Sequence, residues 1–201
     1  MSERPTIVPH RSARIGPGRL VLVVGPSGAG KDTLLNLARC ACAGNSSIVF
    51  PQRLVTRAAS AFEDNLQVED EAFERLLAEG ALAVHWGAHG HRYALPRSVE
   101  DEVRAGRTVV ANVSRTVIAS LRQSYADVVV VAISAPPEVL AERLALRRRG
   151  SDGALELRLA RSVDDTIVAD ITIVNVGDPA AHADRLVQAI TGAPTREPEP
   201  R

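Results

Sequence analysis

Arg19-Leu-Val-Leu-Val-Val24 runs directly into Gly25-Pro26-Ser27-Gly28-Ala29-Gly30-Lys31-Asp32-Thr33. A continuous apolar, β-branched run of this kind suits a strand covered on both faces. From Lys31 to Ala43 the apolar residues return at helical spacing, so the glycine-rich stretch joins a buried strand to a helix. In that setting glycines let the backbone curl and aim successive N–H groups inward. The helix N-terminus adds partial positive charge, and a lysine can reach outward to the same point. The stretch fits G-x-x-x-x-G-K-[ST] except at its last position, where Asp32 stands. Lys31 is also the only lysine in the chain, and solubility does not explain a single lysine inside a glycine loop. The segment reads as a cradle for the outer phosphates of a nucleotide, with residues 25 to 33 as its lining.

Working outward, similar strand-like runs occur at Thr108–Val113, Asp127–Ile133 and Asp170–Val176. Helical periodicity marks 31–43, 69–79, 97–105, 114–124, 136–148, 153–166 and 178–190. Strands separated by helices require right-handed crossovers. The expected fold is therefore three-layer α/β, a central parallel sheet covered by helices on both faces. Residues 53–96 break the rhythm with a turn-rich stretch, one helix and a hairpin-like Leu82–Leu95, as a substrate-binding flap would. The irregular Arg147-Arg-Arg-Gly-Ser-Asp-Gly153 suits part of a lid, placed at 147–157. Residues 1–18 read as a flexible arm and 192–201 as a disordered tail, leaving one domain over 19–191.

Composition bounds the function. The chain has 201 residues, 45% hydrophobic and 3% aromatic, so Val, Leu, Ile and Ala must fill the core. Lys plus Arg (24) equal Asp plus Glu (24), and this balance predicts attraction to neither nucleic acid nor membranes. Cys40 and Cys42 are the only cysteines, and they are expected to be small buried thiols in a reducing compartment. The first residues lack an apolar segment of the secretory kind, and no run is long enough to cross a bilayer. A soluble cytoplasmic protein is expected, acting on a small molecule as monomer or homodimer.

Asp32 bears on metal binding. The hydroxyl that usually follows the lysine and holds Mg²⁺ is missing, and the strand at 108–111 ends in Asn112-Val-Ser114 with no carboxylate. One reading gives Asp32 to Mg²⁺, a hard cation that accepts carboxylate, water and phosphate oxygens together. The other gives it to the helix dipole alone.

Taken with Val55-Thr56-Arg57, the Trp86…Tyr93 segment, and Leu144…Arg149-Gly150 followed by a helix bearing Arg158 and Arg161, the phosphate loop resembles the guanylate kinase superfamily over about residues 19–190. The resemblance implies a P-loop kinase fold using ATP and Mg²⁺. The groups with which guanylate kinases read guanine are absent, however: Arg53, His85 and Leu95 stand where serine, glutamate and threonine would be. A neutral histidine or an arginine cannot replace the carboxylate that guanine needs. An arginine does suit a second phosphate, which it grips through two N–H donors. Gly30-Lys31-Asp32, Arg53-x-x-Thr56-Arg57, Trp86 and Asn112-Val-Ser114-Arg115 look like the ribose 1,5-bisphosphate phosphokinases. That resemblance implies transfer of the γ-phosphoryl of ATP to the 1-phosphate of ribose 1,5-bisphosphate, within phosphonate catabolism.

On this reading Lys31 steadies the β and γ oxygens, and Arg57 and Arg53 hold the acceptor with Thr56, Tyr93, Asn112, Ser114 and Arg115. Arg147, Arg149, Arg158 and Arg161 are candidates to close on the moving group, although Arg158 and Arg161 also fit a solvated helix face. Glu63 is placed on a sugar hydroxyl. His85 is placed near substrate phosphate or in the core; with His89 and His91 it forms no closed zinc set. Trp86 fits the core better than a stacking platform. Two rivals stay open: a nucleoside monophosphate kinase of the guanylate kinase type, and a guanylate-kinase-like domain that only binds proteins.

Overall fold

A computed structural model of the chain describes residues 13–57, 64–146 and 168–192. The chain forms two compact units. One comprises the residues up to Leu22 together with Asn45–Val128, and the other Val23–Gly44 together with the residues from Val129 onward.

Two sheets carry the fold. The first has five strands in the order β2 (Ile48–Val49), β7 (Thr108–Asn112), β1 (Ile15–Val24), β8 (Tyr125–Ser134) and β9 (Ile171–Val174). β2 runs parallel to β7, and β9 parallel to β8. Leu20, Val21, Leu22, Val23 and Val24 are all buried, as the unbroken apolar run requires. The second sheet, in the first unit, has the order β4 (Asn65–Gln67), β3 (Arg53–Val55), β6 (His91–Pro96), β5 (Leu82–Ala88). Helices α1 (Lys31–Ala41), α2 (Asp70–Ala78), α3 (Ser98–Arg104), α4 (Ile118–Ser124), α5 (Pro137–Leu146) and α6 (Pro179–Thr191) complete the described elements. Among the described residues no helix is long and apolar enough to cross a membrane.

Local chemistry explains several boundaries. α6 begins where the Asp178 side chain accepts from Ala180 N at 3.0 Å and Pro179 supplies the first turn; it ends at left-handed Gly192. Together these give a fully capped helix, and in the second unit it packs against α1. β5 and β6 join through His89-Gly90, both at positive φ (53° and 76°), the geometry of a tight hairpin turn. In the first unit Phe73 of α2 seats among Leu54, Leu82 and Ala94, with Val68, Leu76 and Leu77 around it. Burying each such large side chain contributes roughly 1.5–3 kcal/mol.

Some expectations from sequence are corrected. β1 begins at Ile15, not Arg19, because Ile15 is buried and Arg19 is tied to Asp127 at 2.8 Å and to the Arg107 carbonyl. The intervening Gly16-Pro17-Gly18 masks the strand, since both residue types are poor strand formers. The 114–124 helix is divided: Ser114 Oγ accepts from Thr116 N at 3.3 Å, a 3₁₀ turn covers Arg115–Val117, and α4 follows. β8 starts at Tyr125. β2, β3 and β4 are too short to show alternation. Cys42 is buried, and burial raises its thiol pKa, but Cys40 is exposed. It sits on the outward side of an amphipathic helix whose buried stripe is Leu34, Leu35 and Ala38.

Candidate functional site

The phosphate loop lies wholly in the second unit. Gly25 has φ 151°, and a Cβ there would stand 2.0 Å from the Ile133 carbonyl oxygen. Only glycine lets β1 turn away so close to β8. Gly30, at φ 86°, is the N-cap of α1; a Cβ there would meet Asn175 Nδ2 at 2.3 Å. Between them Ala29 N donates to Pro26 O at 3.3 Å, closing a turn over Ser27 and Gly28. Lys31 folds back across the loop, its Nζ donating to Gly25 O (2.8 Å) and Pro26 O (2.9 Å). The ammonium is thus stationed on the loop itself. Asp32 and Thr33 follow in the first turn of α1, where a carboxylate suits the dipole.

No group of three or more His, Cys, Asp or Glu side chains able to hold a metal ion occurs among the described residues. A protein-only metal cage is therefore not built there. Asp32 fits the other mode, in which Mg²⁺ takes one carboxylate and fills its shell with water and substrate phosphate oxygens.

Two residues that sequence reasoning missed hold this loop from outside. Asn175, directly after β9, is buried and donates from Nδ2 to Ala29 O at 2.8 Å. Arg143 of α5 donates to Gly28 O (3.4 Å) and Asn175 O (3.1 Å). One signal was available: Asn175 follows the carboxyl end of a parallel strand, where open α/β sheets gather their ligand-binding residues.

The remaining described candidates belong to the first unit, and Tyr93 organises them. Tyr93 of β6 stands opposite Trp86 in register, and the rings stack at 5.8 Å and 9°. The Arg53 and Arg57 guanidiniums lie 5.8 and 5.9 Å from the Tyr93 ring centroid, within cation–π range. Arg57 Nε also donates to the Tyr93 hydroxyl at 3.2 Å. Arg53 is fixed further by donating to Asn65 Oδ1 (3.1 Å) and Asn112 O (3.3 Å). One ring is therefore within cation–π range of two guanidiniums, and Trp86, buried as expected, stacks against that ring.

The Thr56 hydroxyl accepts from Arg92 N at 2.9 Å, tying the end of β3 to β6. Ser114 caps the 3₁₀ turn that Arg115 opens, and β5 packs against this turn. His85 does not join the group. It pairs with Ala94, and its ring meets Phe73 edge-on at 6.4 Å. Adjacent strand positions face opposite ways, so His85 is on the α2 side, away from Trp86 and Tyr93. Arg92 lies on that same side, over the Phe73 ring and paired with Asp70 and Glu74. Glu63, Arg147, Arg149, Arg158 and Arg161, with the helix expected at 153–166, lie outside the described residues.

Comparison with known proteins adds the decisive observation. The chain is 58% identical over 198 residues to ribose 1,5-bisphosphate phosphokinase PhnN of Bradyrhizobium diazoefficiens, covering 98% of this chain and 100% of that one. The chain belongs to the ribose 1,5-bisphosphate phosphokinase family. A second phosphokinase, from Rhodopseudomonas palustris, is 62% identical over 176 residues, 88% of this chain and 90% of the other. No family model matches the chain. Among solved structures, guanylate kinase from Anaplasma phagocytophilum shares 25% identity and a TM-score of 0.65, covering 89% of this chain and 87% of its own. The phosphokinase family thus shares its fold with guanylate kinases, and the chain has the α/β sheet expected of a kinase.

Proposed function

We propose that this chain transfers the γ-phosphoryl group of ATP to the 1-phosphate of ribose 1,5-bisphosphate, forming 5-phospho-α-D-ribose 1-diphosphate and ADP. The observation that carries the reading is the pair of arginines on one aromatic platform. Arg53 and Arg57 each bring a guanidinium to the Tyr93 ring, at 5.8 and 5.9 Å from its centroid. Two fixed cations suit an acceptor with two phosphates and no base.

The chemistry asks little of the protein besides placement and charge. The acceptor phosphate oxygen is already ionised, so no general base is needed. Its oxygen forms a bond to the γ-phosphorus while the bond from that phosphorus to the β–γ bridging oxygen breaks, and ADP leaves with the electron pair. Lys31 exchanges the carbonyl oxygens of Gly25 and Pro26 for phosphate oxygens, which are stronger acceptors because they are charged. Arg53 and Arg57 orient the acceptor, steadied by the Tyr93 ring and the Asn112 carbonyl, while Thr56 and Ser114 tie the surrounding backbone and Arg115 is assigned to the acceptor by family likeness. Asp32, together with the nucleotide's phosphates, would hold Mg²⁺, which would supply charge neutralisation at the transferring group. Residues 53–96 act as the acceptor flap on this reading, and Arg147, Arg149, Arg158 and Arg161, outside the described residues, are candidates by family likeness to act on the moving group. Phosphonate catabolism in the cytoplasm is the proposed setting.

ADP release measured with ribose 1,5-bisphosphate, ribose 5-phosphate and GMP tests the assignment. The bisphosphate is expected to exceed the other two in kcat/KM by at least about 10²-fold, since a site built for a charged group rejects molecules lacking it. Faster turnover of GMP would replace the assignment with a guanylate kinase activity.

A further inference from the structure

The loop's carbonyls, and not only its N–H groups, have dedicated partners in the second unit. A peptide unit is planar and trans, so the C=O of one residue and the N–H of the next point in opposite directions. Fixing the Ala29 carbonyl therefore fixes the Gly30 N–H on the other side of the plane. Asn175 performs that fixing. Its side chain is 2% exposed, its Nδ2 lies 2.8 Å from Ala29 O, and its own backbone is locked by Asn175 N donating to Ser134 O at 2.8 Å. A carbonyl can receive only a donor, which determines which end of the amide faces the loop. Arg143 reinforces the arrangement from Gly28 O and Asn175 O. The other amide atom, Asn175 Oδ1, is buried without a hydrogen-bond partner among the described residues, and such a group is costly to keep unless the amide serves a purpose. The fit against Gly30 is equally tight, since any Cβ there would overlap Asn175 Nδ2.

We infer that Asn175 is a positioning residue for nucleotide binding: its amide holds the Ala29–Gly30 peptide in the orientation that presents the Gly30 N–H to phosphate. The inference rests on the reading of this loop as the ATP site. Preorganised donors bind without an ordering cost at the moment of contact, so loss of the tether weakens nucleotide binding and spares the acceptor.

The test uses the full chain and calorimetric titration with the Mg²⁺ complex of a non-hydrolysable ATP analogue, together with KM values for both substrates. Asn175→Ala and the nearly isosteric Asn175→Asp each remove the donor. Both are expected to raise the analogue's Kd and the KM for ATP about tenfold or more, with KM for the acceptor within about twofold. Gly30→Ala supplies an independent arm, read in the same titration. Its penalty should be smaller in the Asn175→Ala background than in the wild-type chain, because the overlap with Nδ2 is gone. Folded variants that bind the analogue as tightly as the wild type would overturn the tether. So would an equal rise in both KM values accompanied by a lower Tm, the pattern of a purely structural residue. A wild-type chain that does not bind the analogue would instead defeat the nucleotide reading beneath it.

Discussion

Replacing Tyr93 with Phe removes one oxygen atom and leaves the aromatic platform standing. The phenyl ring can still stack on Trp86, and both guanidiniums keep a ring face at 5.8 and 5.9 Å. Only the acceptor for Arg57 Nε, now at 3.2 Å, is lost. A hydrogen bond to a charged group is worth about 1.5–3 kcal/mol at good geometry, and this one is long and part-exposed, so about 1 kcal/mol is the expected value. That corresponds to about a fivefold rise in KM for ribose 1,5-bisphosphate through a less ordered Arg57. Because the nucleotide loop is in the other unit, KM for ATP should not move. Tyr93→Leu goes further and removes both cation–π contacts, at about 0.5–1 kcal/mol each, so acceptor KM should rise about a further tenfold. Steady-state kinetics with each substrate varied in turn reads both variants. An unchanged acceptor KM in Tyr93→Phe, or equal shifts for both substrates, would refute the role given to the platform.

Asp32→Ala should raise the Mg²⁺ concentration for half-maximal activity by at least about tenfold, a loss that even outer-shell metal partners produce; an unchanged Mg²⁺ titration would leave Asp32 to the helix dipole. Gly25→Ala forces a Cβ against the Ile133 carbonyl and should lower stability by about 3 kcal/mol or more, seen as a lower urea midpoint. Tyr125 is buried, and burial, aided by the Glu100 carboxylate and opposed by Arg104 and Arg97, raises its phenol pKa well above 10. Above pH 10 the unfolded chain loses this proton while the folded chain keeps it. Stability therefore falls as pH rises there, by up to about 1.4 kcal/mol per pH unit from this one group. Tyr125→Phe should flatten that alkaline limb in urea melts, and an identical slope in both proteins would refute it.

The sequence was most legible where backbone constraint and composition coincide. Glycines at positive φ, a lone lysine and a buried run defined the loop, because few other residues can serve there. The arginine pair was also visible as residue types. What holds it was not: Tyr93 beneath both cations depends on strand register between β3, β5 and β6, and three-residue strands leave no period to read. Which of its two expected places His85 takes was hidden for the same reason, since one step in register turns a side chain to the opposite face. Asn175 was hidden by distance along the chain, its contact with Ala29 being created only by the parallel pairing that carries β9 beside β8.

The central claim is tested most directly by following the phosphorus itself. ³¹P NMR of the chain with ATP, Mg²⁺ and ribose 1,5-bisphosphate should show the acceptor's 1-phosphate resonance replaced by two mutually coupled diphosphate signals as ADP accumulates. Inorganic phosphate growing in their place, with the 1-phosphate unchanged, would contradict it.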